Sequence, residues 1–146
     1  MKLVFFVLHN IYKKGKLWKK GGICLIALIV DKDMDSRIRL KHLIQENAEE
    51  CCVLEFPDGR QAMDYVSVPG READFLFTEV ELKGMSGFTL CRNMKKLQNQ
   101  CYLTLMSKKD DYAYEAWLYG ADNYLIKPFD GNRIKAILKD ALRKKR

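Results

Sequence analysis

Phe75-Leu76-Phe77-Thr78-Glu79 is the stretch that decides the fold. A short, mostly apolar run ends on a carboxylate, and the loop Lys83-Gly84-Met85-Ser86-Gly87 follows. A run without a polar face fits a strand covered by helices on both sides, as in a parallel sheet. Three other runs have the same form. Leu25-Ile26-Ala27-Leu28-Ile29-Val30 leads into Asp31-Lys32-Asp33, Leu103-Thr104-Leu105-Met106 into Ser107, and Tyr124-Leu125-Ile126 into Lys127. Ligand sites of open α/β sheets lie beyond the carboxyl ends of the strands. The pattern therefore predicts that Glu79, Asp31, Lys32, Asp33, Ser107 and Lys127 gather at one edge around a polar pocket.

The periodicity around these runs alternates between strand and helix. The first strand is read over 23–30, and Asp35 or Ser36 is placed to cap a helix reaching Asn47, with Leu40, Leu43 and Ile44 on one face. A second strand covers 51–56 and ends at the turn Pro57-Asp58-Gly59. A short helix follows over 60–66, and Val68-Pro69-Gly70 closes it. The third strand is 74–78, and its helix carries Leu90, Met94 and Leu97. The fourth strand is 102–106, with a helix opened by Asp110 or Asp111, running to Tyr119 and stopped by Gly120. The fifth strand is 123–126. The last helix places Ile134, Ile137, Leu138, Ala141 and Leu142 at the spacing of a single buried face. Five strands alternating with five helices predict an α/β fold, a three-layer sandwich around a parallel five-stranded sheet with right-handed crossovers.

Size and charge frame this body. A chain of 146 residues suits one domain with its own core. The net charge of +7 is not spread evenly: residues 1–22 hold six lysines and no acid, and the chain ends in Arg143-Lys144-Lys145-Arg146. The body between them is mildly acidic. The expectation is a basic N-terminal extension (1–22) and a folded domain (23–146) with a basic tail. Such ends can touch nucleic acid, acidic proteins or an anionic membrane surface without specificity, and solvated tails are the plainer reading. Met1 to Leu8 is too short an apolar run to span a bilayer, and an extra edge strand or a weak surface anchor is the alternative there. Five cysteines, with no Cys-x-x-Cys and mostly within apolar runs, predict buried free thiols in a reducing cytoplasm. With only two histidines, a zinc site has little support. No P-loop, dinucleotide fingerprint or hydrolase triad is present, so the chain is not expected to be an enzyme.

Three segments resemble a known family. Leu28-Ile29-Val30-Asp31-Lys32-Asp33, with Arg37 beyond it, resembles the opening of a bacterial two-component response-regulator receiver domain. The strand through Glu79 with Met85-Ser86-Gly87 looks like the phosphoacceptor strand and its loop, and Gly120 to Phe129, with Lys127-Pro128, is similar to the last strand. Asp111-Tyr112-Ala113 to Ala116-Trp117 looks most like receivers that drive LytTR-type DNA-binding domains. The resemblance covers roughly residues 23–142. It implies a flavodoxin-like (βα)5 fold with strand order 2-1-3-4-5. It also implies phosphoryl transfer from a kinase to an aspartate, assisted by one magnesium ion held by that aspartate and an acidic pair. Asp31 then matches the first acid, Ser107 the switch hydroxyl, Lys127 the lysine of the fifth strand, and Tyr124 an aromatic that moves on activation. The fourth helix, fifth strand and fifth helix would carry output or homodimerisation. Tyr114, Trp117 and Tyr124 are the candidates on that face, with Trp117 expected to lie in the core.

Two positions depart from the resembling pattern. Lys32 stands where the second acid should be, and Glu79 where the acceptor aspartate should be. A hard divalent ion needs several oxygen ligands, so magnesium binding is expected to be lost or weak, with Lys32 as a tethered substitute. Glu79 is one methylene too long for close in-line attack. Two roles are open to it: a mimic of the phosphorylated state, bound by Lys127 and Ser107, or a plain ion-pair partner in a degenerate pocket. The expected function is a pseudo-receiver that binds a protein partner, such as a histidine kinase or a transcription regulator. A working phosphoacceptor, or an adaptor acting through the basic ends, are the alternatives. Few residues follow Leu142, so the sequence reads as a stand-alone module.

Overall fold

A computed structural model describes residues 11–13, 16–19, 22–49 and 51–144. Eight strands and five helices are present among them. The first three strands, β1 (Ile11–Lys13), β2 (Lys16–Lys19) and β3 (Gly22–Ile23), form a small antiparallel sheet. Trp18 of β2 pairs with Ile11 on one side and Ile23 on the other. The sequence does not decide the order of the extension over 1–22, and it places Ile23 in the strand that follows, whereas here Ile23 ends β3. Runs of lysine hide the alternation of so short a meander. The apolar run Met1 to Leu8 lies outside the described residues.

The body alternates as expected: β4 (Leu25–Val30), α1 (Met34–Asn47), β5 (Cys51–Phe56), α2 (Gly59–Val66), β6 (Phe75–Glu79), α3 (Gly87–Leu97), β7 (Tyr102–Ser107), α4 (Ala113–Leu118), β8 (Asn123–Ile126) and α5 (Gly131–Lys144). All pairings in this sheet are parallel, and the order is β5-β4-β6-β7-β8. Counting only these five strands, that is the 2-1-3-4-5 order of a flavodoxin-like (βα)5 sandwich. Strand alternation divides the core into two layers. Ala27, Ile29, Phe75 and Phe77 pack against Leu40 and Ile44 of α1 and Ile134, Ile137 and Leu138 of α5. Ile26, Leu28, Val30 and Leu76 face α2, α3 and α4 through Ala62, Leu90, Met94 and Ala116.

Several local expectations are corrected. The cap of α1 is Asp33, not Asp35 or Ser36: its backbone is extended, and its carboxylate accepts from Asp35 N at 3.0 Å. Helix α4 is short, and Tyr112 precedes it without a side-chain cap. Asp110 and Asp111 do not open it, because the segment before α4 is drawn toward Glu81 by Lys109 and Tyr112. Trp117 is not a core residue. In this six-residue helix only Ala116 is buried, which leaves Trp117 71% exposed. Gly120 stops the helix as expected, with φ +86°.

The expectation that every cysteine is a free thiol also fails. Cys24 and Cys52 are disulfide-bonded, with Cα atoms 6.1 Å apart. The register explains the meeting. Cys52 lies beside Ile26, and Cys24, two residues back, points to the same face. Cys51 packs in the opposite layer. Burial pushes the Cys91 thiol up to about 12, so it is an inert core side chain.

Candidate functional site

The carboxyl ends of β4, β6, β7 and β8 bring the predicted residues to one place. Asp31 follows β4 and is almost fully buried. Lys127 follows β8 and contacts Asp31 Oδ2 at 2.5 Å through its Nζ. Glu79 ends β6 with its Oε1 3.8 Å from Lys127 Nζ and 3.6 Å from Lys32 Nζ. The Lys32 ammonium also donates to the main-chain carbonyl of Glu81 at 3.1 Å. Lys32 therefore bridges a carboxylate and a carbonyl from outside the pocket, while Lys127 holds it from within.

The surroundings fix these groups. Asp33 N donates to Asp31 Oδ1 at 2.9 Å, and Arg37 Nη1 donates to the Asp31 carbonyl at 2.6 Å. Arg37 Nε faces Glu55 at 3.4 Å, which ties α1 to β5. Gly87 is required where α3 begins: a Cβ there would lie 2.1 Å from the Glu79 carbonyl oxygen. The first turn of α3 thus packs directly on the backbone of the site residue, and Ser86 caps the helix through Thr89 N.

Glu79 is in an unusual state for a surface-facing acid. It is 9% exposed, and its Oε2 has no hydrogen-bond partner. Burial raises its carboxyl above the ordinary value, the adjacent Asp31 raises it further, and Lys127 and Lys32 oppose both. The acidic character that two carboxylates share in this space is thus only partly offset by the two ammonium groups.

The other predicted residues fall into two groups. Ser107 reaches the edge, but its Oγ accepts from Lys109 N at 3.1 Å and turns to the next loop. No Ser107 bond to Glu79 is present among the described residues, and Lys127 lies closer to Asp31 than to Glu79. The mimic arrangement, with Glu79 bound by both Ser107 and Lys127, is not what the geometry displays. Asp33 spends its carboxylate on the helix cap. Tyr124 is half-buried, and its hydroxyl donates to the Lys109 carbonyl. Tyr114 and Trp117 are exposed on α4 with their rings 6.3 Å apart, and Leu118 and Ile126 add exposed apolar surface.

One part of the site escaped sequence reading. Glu81 receives Lys109 Nζ at 2.9 Å and the Tyr112 hydroxyl at 3.0 Å, which straps the loop after β7 to the loop after β6. The same partners hold the Glu81 carboxyl below its usual value, Lys109 first, and raise Lys109 and Tyr112. An exposed Glu and Lys far apart in sequence carry no signal of such a pairing, and the Glu81 carbonyl that holds Lys32 is invisible to any reading of side chains.

The residues present do not fit a six-coordinate divalent ion. One carboxylate is engaged by Lys127, the other lies beside Lys32, and the Lys32 ammonium already occupies oxygen donors that such an ion would need. Among the described residues no group of three or more His, Cys, Asp or Glu is placed to hold a metal.

A doubly wound five-stranded sheet with an acid-and-lysine pocket at its carboxyl edge defines the class of two-component receivers. The chain belongs to the response regulator receiver domain family, which it matches over residues 27–139. It is 33% identical over 115 residues to the sensory transduction protein LytT of Bacillus subtilis, covering 79% of this chain and 47% of that protein. It is 30% identical over 110 residues to the fimbriae Z protein of Escherichia coli, covering 74% of this chain and 51% of that protein. The chain spans about half the length of these curated relatives. A two-component response regulator from Clostridium difficile superposes with a TM-score of 0.72 at 26% identity, covering 82% of this chain and 96% of that one. A receiver domain from Clostridium thermocellum gives 0.74 at 20% identity, covering 83% and 96%. The protein is thus a receiver of two-component signalling, a class whose members engage kinases and effectors. No helix among the described residues is long and apolar enough to cross a membrane.

Proposed function

We propose that this receiver is a pseudo-receiver, a signalling module that works through protein contacts without a phosphoryl group on its pocket. The observation that carries this reading is the Lys32 ammonium, 3.1 Å from the Glu81 carbonyl and 3.6 Å from Glu79 Oε1. Phosphoryl transfer depends on positioning and on cationic neutralisation of charge developing at the transferring group. Here the neutralising charge is a fixed amine, bound to the backbone and to the very carboxylate that would have to attack. Glu79 is held back further because its Oε1 already faces two ammonium groups, Lys32 at 3.6 Å and Lys127 at 3.8 Å. The module therefore needs no magnesium and catalyses no reaction.

Its partner is a protein of the same signalling system, a histidine kinase or a transcription regulator, met in the cytoplasm. The exposed Tyr114, Trp117 and Ile126 supply the apolar anchors such a contact uses, with Tyr124 beside them. A second copy of the chain is the other occupant of that face. The test is incubation with radiolabelled acetyl phosphate and magnesium. No stable label on the wild-type chain is expected, while Asp at both positions (Lys32→Asp with Glu79→Asp) gains label. Stable label on the wild type that Glu79→Ala removes would establish a working phosphoacceptor instead.

A further inference from the structure

Beside the pocket lies a second cavity of about 340 Å³, between the start of α1 and the ends of β7 and β8. Ser36 and Arg39 of α1, Lys108, Lys127, Pro128 and Phe129 line it. Three of these six residues are cations and none is an acid. Lys127 has its ammonium engaged by Asp31. Arg39 and Lys108 have no ion pair among the described residues, and Arg39 only donates weakly to the Phe129 carbonyl at 3.5 Å. Two uncompensated cations thus flank one concavity, next to a hydroxyl from Ser36. Most of the remaining wall is apolar, built from the Pro128 ring and Phe129.

We propose that this cavity binds a small phosphate monoester that carries a planar ring. The phosphate would meet Arg39, Lys108 and the Ser36 hydroxyl, since a guanidinium fork and an ammonium are the side chains best matched to phosphate oxygens. The ring would lie on Pro128 and Phe129. Volume favours an ester over the bare anion, because the cavity is in the range of small-ligand sites and inorganic phosphate alone would fill little of it. Occupation would also bridge α1 to the β8–α5 loop, which Arg39 and Phe129 now join through one long hydrogen bond. A ligand there would bias the face formed by α4, β8 and α5 without a covalent step. This inference goes beyond the pseudo-receiver reading and does not depend on whether Glu79 accepts a phosphoryl group, since Arg39 and Lys108 touch neither Glu79 nor Asp31.

Amide chemical shifts of the full chain, titrated separately with adenosine monophosphate, phenyl phosphate, inorganic phosphate and adenosine, test it. Saturable shifts at Ser36, Arg39, Lys108 and Phe129 are expected with both esters. Inorganic phosphate should bind about tenfold more weakly, the ratio expected from losing one buried ring face, and adenosine should not saturate. Arg39→Ala with Lys108→Ala abolishes the shifts, the single charge reversal Lys108→Glu does the same, and Lys32→Ala leaves them intact. Both substituted positions are exposed, so the rest of each spectrum should stay native. The proposal is overturned if neither ester saturates at millimolar concentration. It is equally overturned if binding survives in both variants, or if the shifts fall on residues 1–22 and 143–146, the mark of loose association with the basic ends.

Discussion

The two ends of the parallel sheet carry the same kinds of acid and use them in opposite ways. At the amino end, Asp74 Oδ2 accepts from Ile26 N at 2.8 Å and Asp122 Oδ2 from Leu103 N at 2.8 Å. Gln98 closes the same end, accepting from Ala73 N and donating to the Arg71 carbonyl, both at 2.7 Å. These side chains stitch neighbouring strands through the backbone, and they have no freedom to exchange partners without losing register. At the carboxyl end, Asp31 keeps one main-chain bond, from Asp33 N, but its other oxygen and Glu79 face Lys127 and Lys32 side chain to side chain, and Glu79 Oε2 is left over. An acid bound by main-chain N–H groups is architecture. An acid bound by lysines, one of them 52% exposed, is a site whose occupants can change.

That contrast predicts a gradient of effects. Asp74→Ala should be the most damaging change, because it strands the buried Ile26 N–H and loosens the β4–β6 junction. The expected loss is about 3 kcal/mol in urea unfolding, and a loss no larger than that of a surface substitution would erase the distinction between the two ends. Gly87→Ala should come next. Its Cβ meets the Glu79 carbonyl, so the loop must shift, at a cost of about 2 kcal/mol. Amide shifts at Glu79 and Val80 should move with it, and their staying in place would show that α3 does not bear on the site.

Glu79→Gln should be mild, and informative through its pH dependence. The folded-state carboxyl titrates above its ordinary value of 4.5, so the folded chain binds this proton more tightly than the unfolded chain. For an acid shifted in this direction, stability falls as pH rises from the ordinary value through the raised one, and the penalty is complete above it. Gln carries no such penalty. The variant should therefore gain on the wild type as pH rises across that window and match or exceed its stability at neutral pH. A variant that loses ground with rising pH would mean that the lysines, not burial and Asp31, govern Glu79. Lys32→Ala should be the smallest effect on stability, within about 1 kcal/mol, because half of its side chain is in water.

How much of this was legible depends on which atoms do the work. The fold was readable because each strand of the body is a short apolar run ending on a polar residue, and because Ile134, Ile137 and Leu138 print the helical period on the last helix. The site's membership was readable for the same reason: Asp31, Glu79 and Lys127 follow strand ends, and parallel strands end together. Geometry inside the site was not. That Lys127 prefers Asp31, that Ser107 turns to Lys109, and that Lys32 finds a main-chain carbonyl depend on differences of an ångström or two that no spacing encodes. The exposure of Trp117 was misread because a ring of that size normally drives burial, whereas α4 is too short to turn two faces inward. The Cys24–Cys52 bond needed the register of β4 against β5, which is a property of the pair and not of either strand.

The carboxyl end is distinguished above all by a cation that cannot leave, and magnesium titration by calorimetry is its most direct test. The wild-type chain should show no saturable heat at physiological magnesium, and Lys32→Asp, which trades the tethered ammonium for an oxygen ligand, should bind the ion. Saturable binding by the wild type, undiminished relative to that variant, would contradict the account.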